Sequence, residues 1–221
     1  MSKKQKIQSN ALQVLDILKP LAGKTMLEEY KHRSPFELLI MTLLSARTKD
    51  STVIPIALNI FQTHNTPEHF LTLTEQQIQN MIYGIGFHRT KAKHIKQLSQ
   101  ILIQKYKSQV PGTMGELLEL PGVGRKTASC ILSYVFNVPA IAVDIHVHRI
   151  TNTTRLNWIN TKTPEQSETA LKQLIPKQRW NQINSLIVDH GQRICHPRSP
   201  NCNECAITNF CNYKKSKSSK I

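Results

Sequence analysis

Leu120-Pro121-Gly122-Val123-Gly124-Arg125-Lys126-Thr127-Ala128 is a helix stop followed at once by a helix start. A helix running up to Leu120 ends at Pro121, because proline brings no amide hydrogen to the ladder. Gly122 and Gly124 permit a tight turn with positive φ. A second helix is then predicted from about Arg125 to Phe136. Such a turn aims backbone N–H groups outward at a helix N-terminus, where the amides and the positive end of the helix dipole favour a phosphate. Contacts of this type hold a nucleic-acid backbone without reading its bases. Gly122, Val123 and Gly124, with Arg125 and Thr127 beside them, are therefore candidate DNA-binding residues. The bland alternative is a plain helical corner.

The charge balance around this stretch points the same way. The chain has 221 residues, a formal net charge of +15 and no run of 18 apolar residues, so a membrane span is not expected. Its first ten residues, Met1 to Asn10, have no apolar stretch behind their lysines and do not read as a secretory signal, which makes the cytoplasm the expected address. Seven lysines sit at the two ends, within residues 1–6 and 214–221, yet the remainder still carries +8. Between Glu75 and Glu116 there is no acidic residue, while Arg89, Lys91, Lys93, Lys96, Lys105 and Lys107 all fall there. A one-signed face suits a polyanion, since phosphate contacts release counterions. The Lys/Ser-rich residues 214–221 are expected to form a disordered basic tail.

Helix signals dominate the rest. Residues 7–18 place Ile7, Ala11, Val14, Leu15 and Leu18 on one face. Ser34-Pro35-Phe36-Glu37 reads as a capping box with proline in the first turn, and the apolar run to Ser45 should be central. Thr74–Gln77, Thr113–Glu116 and Thr163–Gln166 repeat the signature. Pro55 is expected near the beginning of its helix. Residues 88–107 form a long amphipathic helix with Ile95, Leu98 and Leu102 inward and Arg89, Lys93 and Lys96 outward. Tyr83-Gly84-Ile85-Gly86 echoes Pro121-Gly122-Val123-Gly124, each before a basic helix. Ile141-Ala142-Val143 is the one short β-like run, so the fold class is all-α.

Four of the five cysteines fall within 17 residues as Cys195-x6-Cys202-x2-Cys205-x5-Cys211. In a cytoplasmic chain this argues for a metal or cluster rather than disulfides. A zinc ribbon usually pairs two Cys-x2-Cys knuckles, and only one is present, so an iron–sulfur cubane suits the spacing better than zinc. Cys130 stands alone in an apolar run and reads as a small core residue. Lys126 begins the second hairpin helix. A helix N-terminus and partial burial would both lower its pKa, as a nucleophilic amine requires. Asp144, in Val143-Asp144-Ile145-His146-Val147-His148-Arg149, is a helix-cap candidate and a carboxylate able to assist such a nucleophile.

The hairpin resembles the helix-hairpin-helix motif of DNA glycosylases, and the cysteine spacing resembles the [4Fe–4S] loop of the endonuclease III family. Ala142-Val143-Asp144-Ile145-His146, Ser34 to Ile40 and Leu43 to Ala46 also look like that family, and the resemblance spans about residues 8–213. It implies two helical lobes with a DNA cleft between them: a six-helix barrel with the hairpin at 29–140, and a cluster-bearing lobe made of 1–28 and 141–213. It implies Lys126 as nucleophile, Asp144 as assisting carboxylate and Cys195, Cys202, Cys205 and Cys211 as cluster ligands. His88 and His146 join the DNA-binding candidates. Arg47 stands where the family commonly has glutamine, Phe87 and His88 where leucine and tyrosine are usual, and Ile145 where threonine is common. Arg47 and Phe87 would fill the helix after base extrusion.

The implied activity is base-excision repair: a bifunctional DNA glycosylase removing oxidised pyrimidines from damaged double-stranded DNA and cleaving the abasic site by β-elimination, acting as a monomer. A monofunctional mismatch glycosylase is one alternative, against which Lys126 speaks. A non-catalytic zinc-containing DNA-binding protein is the other, separable by metal analysis.

Overall fold

The computed structural model describes residues 1–213; the segment 214–221, expected to be a disordered tail, lies outside them. Among the described residues the regular structure is twelve α-helices with three short 3-10 turns and no strand, as the periodicity predicts. The chain divides into two compact units, one formed by Met26–Val138 and the other by Met1–Thr25 with the chain from Pro139 onward.

The first helix, α1 (Lys3–Leu18), belongs to the discontinuous unit. The continuous unit holds α2 (Met26–Glu29), α3 (Pro35–Ser45), α4 (Asp50–Phe61), α5 (Pro67–Thr72), α6 (Glu75–Met81), α7 (His88–Tyr106), α8 (Met114–Leu118) and α9 (Arg125–Tyr134). Every residue of α3 from Phe36 to Leu44 is buried, and α3 packs against α4, α7 and α9. Truncating Leu39, Met41 or Leu44 to alanine would cost about 2–5 kcal/mol each, because these side chains have no solvent exposure to lose. The long α7 lays Ile95, Leu98 and Leu102 inward against α5 and α6.

Capping follows the sequence closely. Ser34 and Thr74 close reciprocal boxes with Glu37 and Gln77. Thr113 and Thr163 cap from one side only, and the Gln166 side chain turns instead to the amide of Lys162. Pro55 departs from expectation: it lies inside α4, sixth from the helix start, rather than in the first turn. One carbonyl loses its partner there, and the burial of Val53, Ala57, Ile60 and Phe61 on the same helix offsets the loss.

The discontinuous unit packs α1 with α10 (Ile145–Thr151), α11 (Pro164–Leu174) and α12 (Trp180–Arg193) around Val14, Leu15, Val147, Ile150, Ile183 and Ile187. The β-like run Ile141–Val143 is buried but is not a strand. Two side chains of α12 hold it and the residue before it: the Asn184 amide donates to the Ala142 carbonyl at 2.9 Å, and the Ala140 amide donates to Asn181 Oδ1 at 3.0 Å. This pinned segment leads directly into Asp144.

Candidate active site

The turn between α8 and α9 is closed by the Val123 amide donating to the Leu120 carbonyl at 3.0 Å. Gly122 has φ +80°, and a Cβ there would lie 2.7 Å from the His94 ring on α7, so both conformation and space demand glycine. Gly124 is the N-cap of α9, and a glycine offers no side-chain cap to the first turn. Val123 and Thr127 are buried, whereas Gly124, Arg125 and Lys126 face solvent. The exposure of Lys126 departs from the partial burial expected of it. As the second residue of α9 it points away from the face that packs on α3 and α8.

A carboxylate that sequence reasoning did not single out acts on this lysine. Asp50, the first residue of α4, is half-buried, and that burial raises its pKa while the positive charge of Lys126 lowers it. An aspartate at a helix start reads only as a cap in the sequence; its nearness to Lys126 comes from chain folding across more than seventy residues.

Asp144 caps α10, its Oδ1 accepting from the amides of His146 at 2.9 Å and Val147 at 2.8 Å. His146 packs against Gly191 of α12, where a Cβ would lie 2.6 Å from the ring nitrogen Nδ1. Arg149 donates to that same nitrogen at 3.2 Å. Burial lowers the pKa of His146, opposed by Asp144 and reinforced by Arg149 and His196. Ile145 projects into solvent.

Arg47 and Phe87 sit on different loops of the continuous unit and meet, the guanidinium carbon 4.9 Å from the ring centre. Both are exposed and both have positive φ, +58° and +59°. His88 begins α7 and contacts the exposed Tyr83 ring. Of the basic residues around α7, Arg89 and Lys93 are exposed, Lys96 is half-buried, and Lys91 is not on the surface at all.

Cys195, Cys202, Cys205 and Cys211 line one cavity together with Ile150, Leu156, Arg155 and His190. Among the described residues no three His, Cys, Asp or Glu donors converge on a single-ion site. The surroundings suit an anionic group: Arg149 donates to Cys195 Sγ at 3.7 Å, His190 Nε2 lies 3.8 Å from Cys205 Sγ, and Arg155 is buried beside the cysteines. Burial raises the pKa of Cys195 and Cys205, and Arg155 and Arg149 oppose the rise at Cys195. Cys130 is buried in α9, away from this loop in sequence.

A glycine hairpin with a lysine on the first turn of its second helix, in an all-helical chain bearing a four-cysteine loop, is the pattern of the helix-hairpin-helix class of DNA-repair proteins. Residues 40–177 match the family described as HhH-GPD superfamily base excision DNA repair protein. Endonuclease III of Thermotoga maritima is 44% identical over 83% of this chain and 85% of its own length. Endonuclease III of Bacillus subtilis is 38% identical over 83% of each chain. A solved trapped endonuclease III–DNA covalent intermediate, an estranged-adenine complex, matches with a TM-score of 0.87 and 34% identity, covering 99% of this chain and 100% of that one. The chain belongs to the HhH-GPD superfamily and, within it, to the endonuclease III family. It is a base-excision-repair DNA glycosylase with abasic-site lyase activity.

Proposed function

We propose that Lys126 is the nucleophile of this enzyme, Asp144 its assisting carboxylate, and damaged duplex DNA its substrate. The observation that carries the reading is the placement of Lys126 on the first turn of α9, directly after a turn where φ and the His94 ring demand glycine at Gly122. The hairpin holds a phosphate through main-chain amides at Gly122 and Gly124, since that of Val123 already closes the turn on the Leu120 carbonyl, with Arg125 and Thr127 beside them. The neutral amine of Lys126 attacks C1′ of the extruded nucleotide, and the base leaves with the glycosidic electron pair and takes up a proton. The sugar opens to a protonated Schiff base. Loss of a C2′ proton then expels the 3′ phosphate, which nicks the strand. Asp144 stabilises the positive charge that builds on the sugar. Asp50, its proton affinity raised by burial, interacts electrostatically with Lys126.

His88 and His146 contact DNA, and Arg47 and Phe87 fill the space left by the extruded nucleotide. Cys195, Cys202, Cys205 and Cys211 hold a [4Fe–4S] cluster that organises the loop and positions its cations toward DNA. The enzyme acts as a cytoplasmic monomer. The test is borohydride trapping on a duplex carrying one oxidised pyrimidine: a covalent protein–DNA band is expected from wild type and none from Lys126→Ala. An iron-loaded wild type that releases base without a band would point to monofunctional glycosylase chemistry. Asp144→Asn keeps an N-cap and should lose activity by about a hundredfold with little change in melting, whereas Asp144→Ala should lose activity and about 1 kcal/mol of stability as well. Equal activity of Asp144→Asn and wild type would reduce this residue to a cap.

A further inference from the structure

Lys91 is the buried cation that the proposed chemistry does not use. It lies in the first turn of α7 and is 6% exposed. Its ammonium has three protons and meets three acceptors: the Leu44 carbonyl at 2.8 Å, the Ala46 carbonyl at 2.7 Å and Thr48 Oγ1 at 3.4 Å. The two carbonyls lie at the C-terminal end of α3, where a helix leaves acceptors without internal partners and where a positive charge is favoured. Thr48 Oγ1 in turn accepts from the Gly86 amide at 3.1 Å. The Lys91 amide donates to the Phe87 carbonyl at 3.0 Å.

One lysine thus joins two loops. Its backbone is bonded to Phe87, and its side chain is bonded to the residues on both sides of Arg47. Arg47 and Phe87 each occupy left-handed backbone geometry, which bulky residues rarely adopt and keep only when their surroundings fix it. Gly86 is packed so that a Cβ would lie 3.1 Å from Thr48 Oγ1 and 3.2 Å from the Arg47 carbonyl. The stacked pair is therefore held from beneath by Lys91 and Thr48.

We propose that Lys91 is a positioning residue that locks Arg47 and Phe87 into one composite wedge, and so sets how tightly the enzyme grips the gap and the orphan base opposite an extruded nucleotide. This rests on the wedge reading given above. An amine on a flexible stem suits the task, because three separate acceptors converge on one nitrogen; an arginine fork would present its donors in a plane.

The test compares Lys91→Met, Arg47→Ala and the double variant on duplexes carrying a stable tetrahydrofuran abasic site opposite each of the four bases, with undamaged duplex as control. Lys91→Met is expected to weaken abasic-site binding about tenfold and to flatten the differences among opposing bases, leaving affinity for undamaged duplex unchanged. The double variant should lose no more than Arg47→Ala alone, because both remove the same wedge. Additive losses, or wild-type discrimination by Lys91→Met, would overturn the proposal. Wild-type behaviour of Arg47→Ala would instead overturn the wedge reading itself, and the proposal with it. Should Lys91→Met fail to fold, Thr48→Val removes the bridge to Gly86 with little change in volume. A roughly threefold loss of discrimination at an unchanged melting temperature is then expected, and no loss refutes the proposal.

Discussion

Two glycine turns of similar sequence lie in the continuous unit, and the fold puts them to different uses. Gly122 and Gly84 both have positive φ, +80° and +92°, and each turn leads into a helix with basic residues near its start. At 120–128 the second glycine is the N-cap itself, and the helix opens toward solvent with Arg125 and Lys126. At 82–88 the amide of the second glycine is already taken by Thr48, and the N-cap is Phe87. The first turn therefore presents a helix N-terminus and a nucleophile candidate, whereas the second presents an aromatic ring stacked on Arg47. A Gly-x-Gly signal announces a turn, and what the turn presents depends on which neighbour occupies its amides.

This contrast can be broken by experiment. The largest effect is expected from separating chemistry from grip. Lys126→Ala should reduce trapping on a preformed abasic site by on the order of a thousandfold or more. Phe87→Ala should keep trapping at saturating enzyme and weaken binding by about tenfold. Equal loss of trapping in both variants would erase the division of labour between the turns.

Glycine replacement sharpens it further. Gly122→Ala meets both the backbone penalty and the His94 ring at 2.7 Å, and should cost about 2–3 kcal/mol in urea unfolding. Gly84→Ala meets only the backbone penalty, since its nearest contact is Ile56 Cδ1 at 3.8 Å, and should cost about 1 kcal/mol. Gly124→Ala has open space and negative φ and should be nearly neutral in stability. A reversed order would mean that His94 yields easily and that the first turn is no more constrained than the second.

A pH-dependent effect concerns the cation beneath the second turn. Burial lowers the pKa of Lys91 from 10.5 to about 8. Between those values the unfolded chain holds a proton at this position that the folded chain has lost, so stability should rise with pH from about 8 toward 10.5 relative to Lys91→Met. Paired urea titrations at pH 7.5 and 9.5 measure the difference. A relative fall with pH would show that the ammonium's hydrogen bonds outweigh its desolvation.

The all-α class, the helix caps at Ser34 and Thr74, the inward face of α7 and the hairpin glycines were legible because each depends on residues within a few positions of one another. Pro55 was misjudged because the burial of α4 outweighs a local propensity. Lys91 read as one more basic-face cation because its charge was counted with its neighbours'; its spacing to Ile95, Leu98 and Leu102 puts it on the inward face, but only the fold supplies the helix end 47 positions away that accepts from it.

The sequence by itself determined where helices start and stop, that one turn must be glycine, and that four cysteines share a loop, since those are consequences of backbone sterics, capping and chain proximity. Only the tertiary structure decided that Lys126 faces solvent under the influence of Asp50, that Arg47 rests on Phe87, and that Arg155 and His190 join the cysteines around one cavity. Those contacts depend on the packing of helices far apart in the chain, and no local pattern records which distant side chain will meet which.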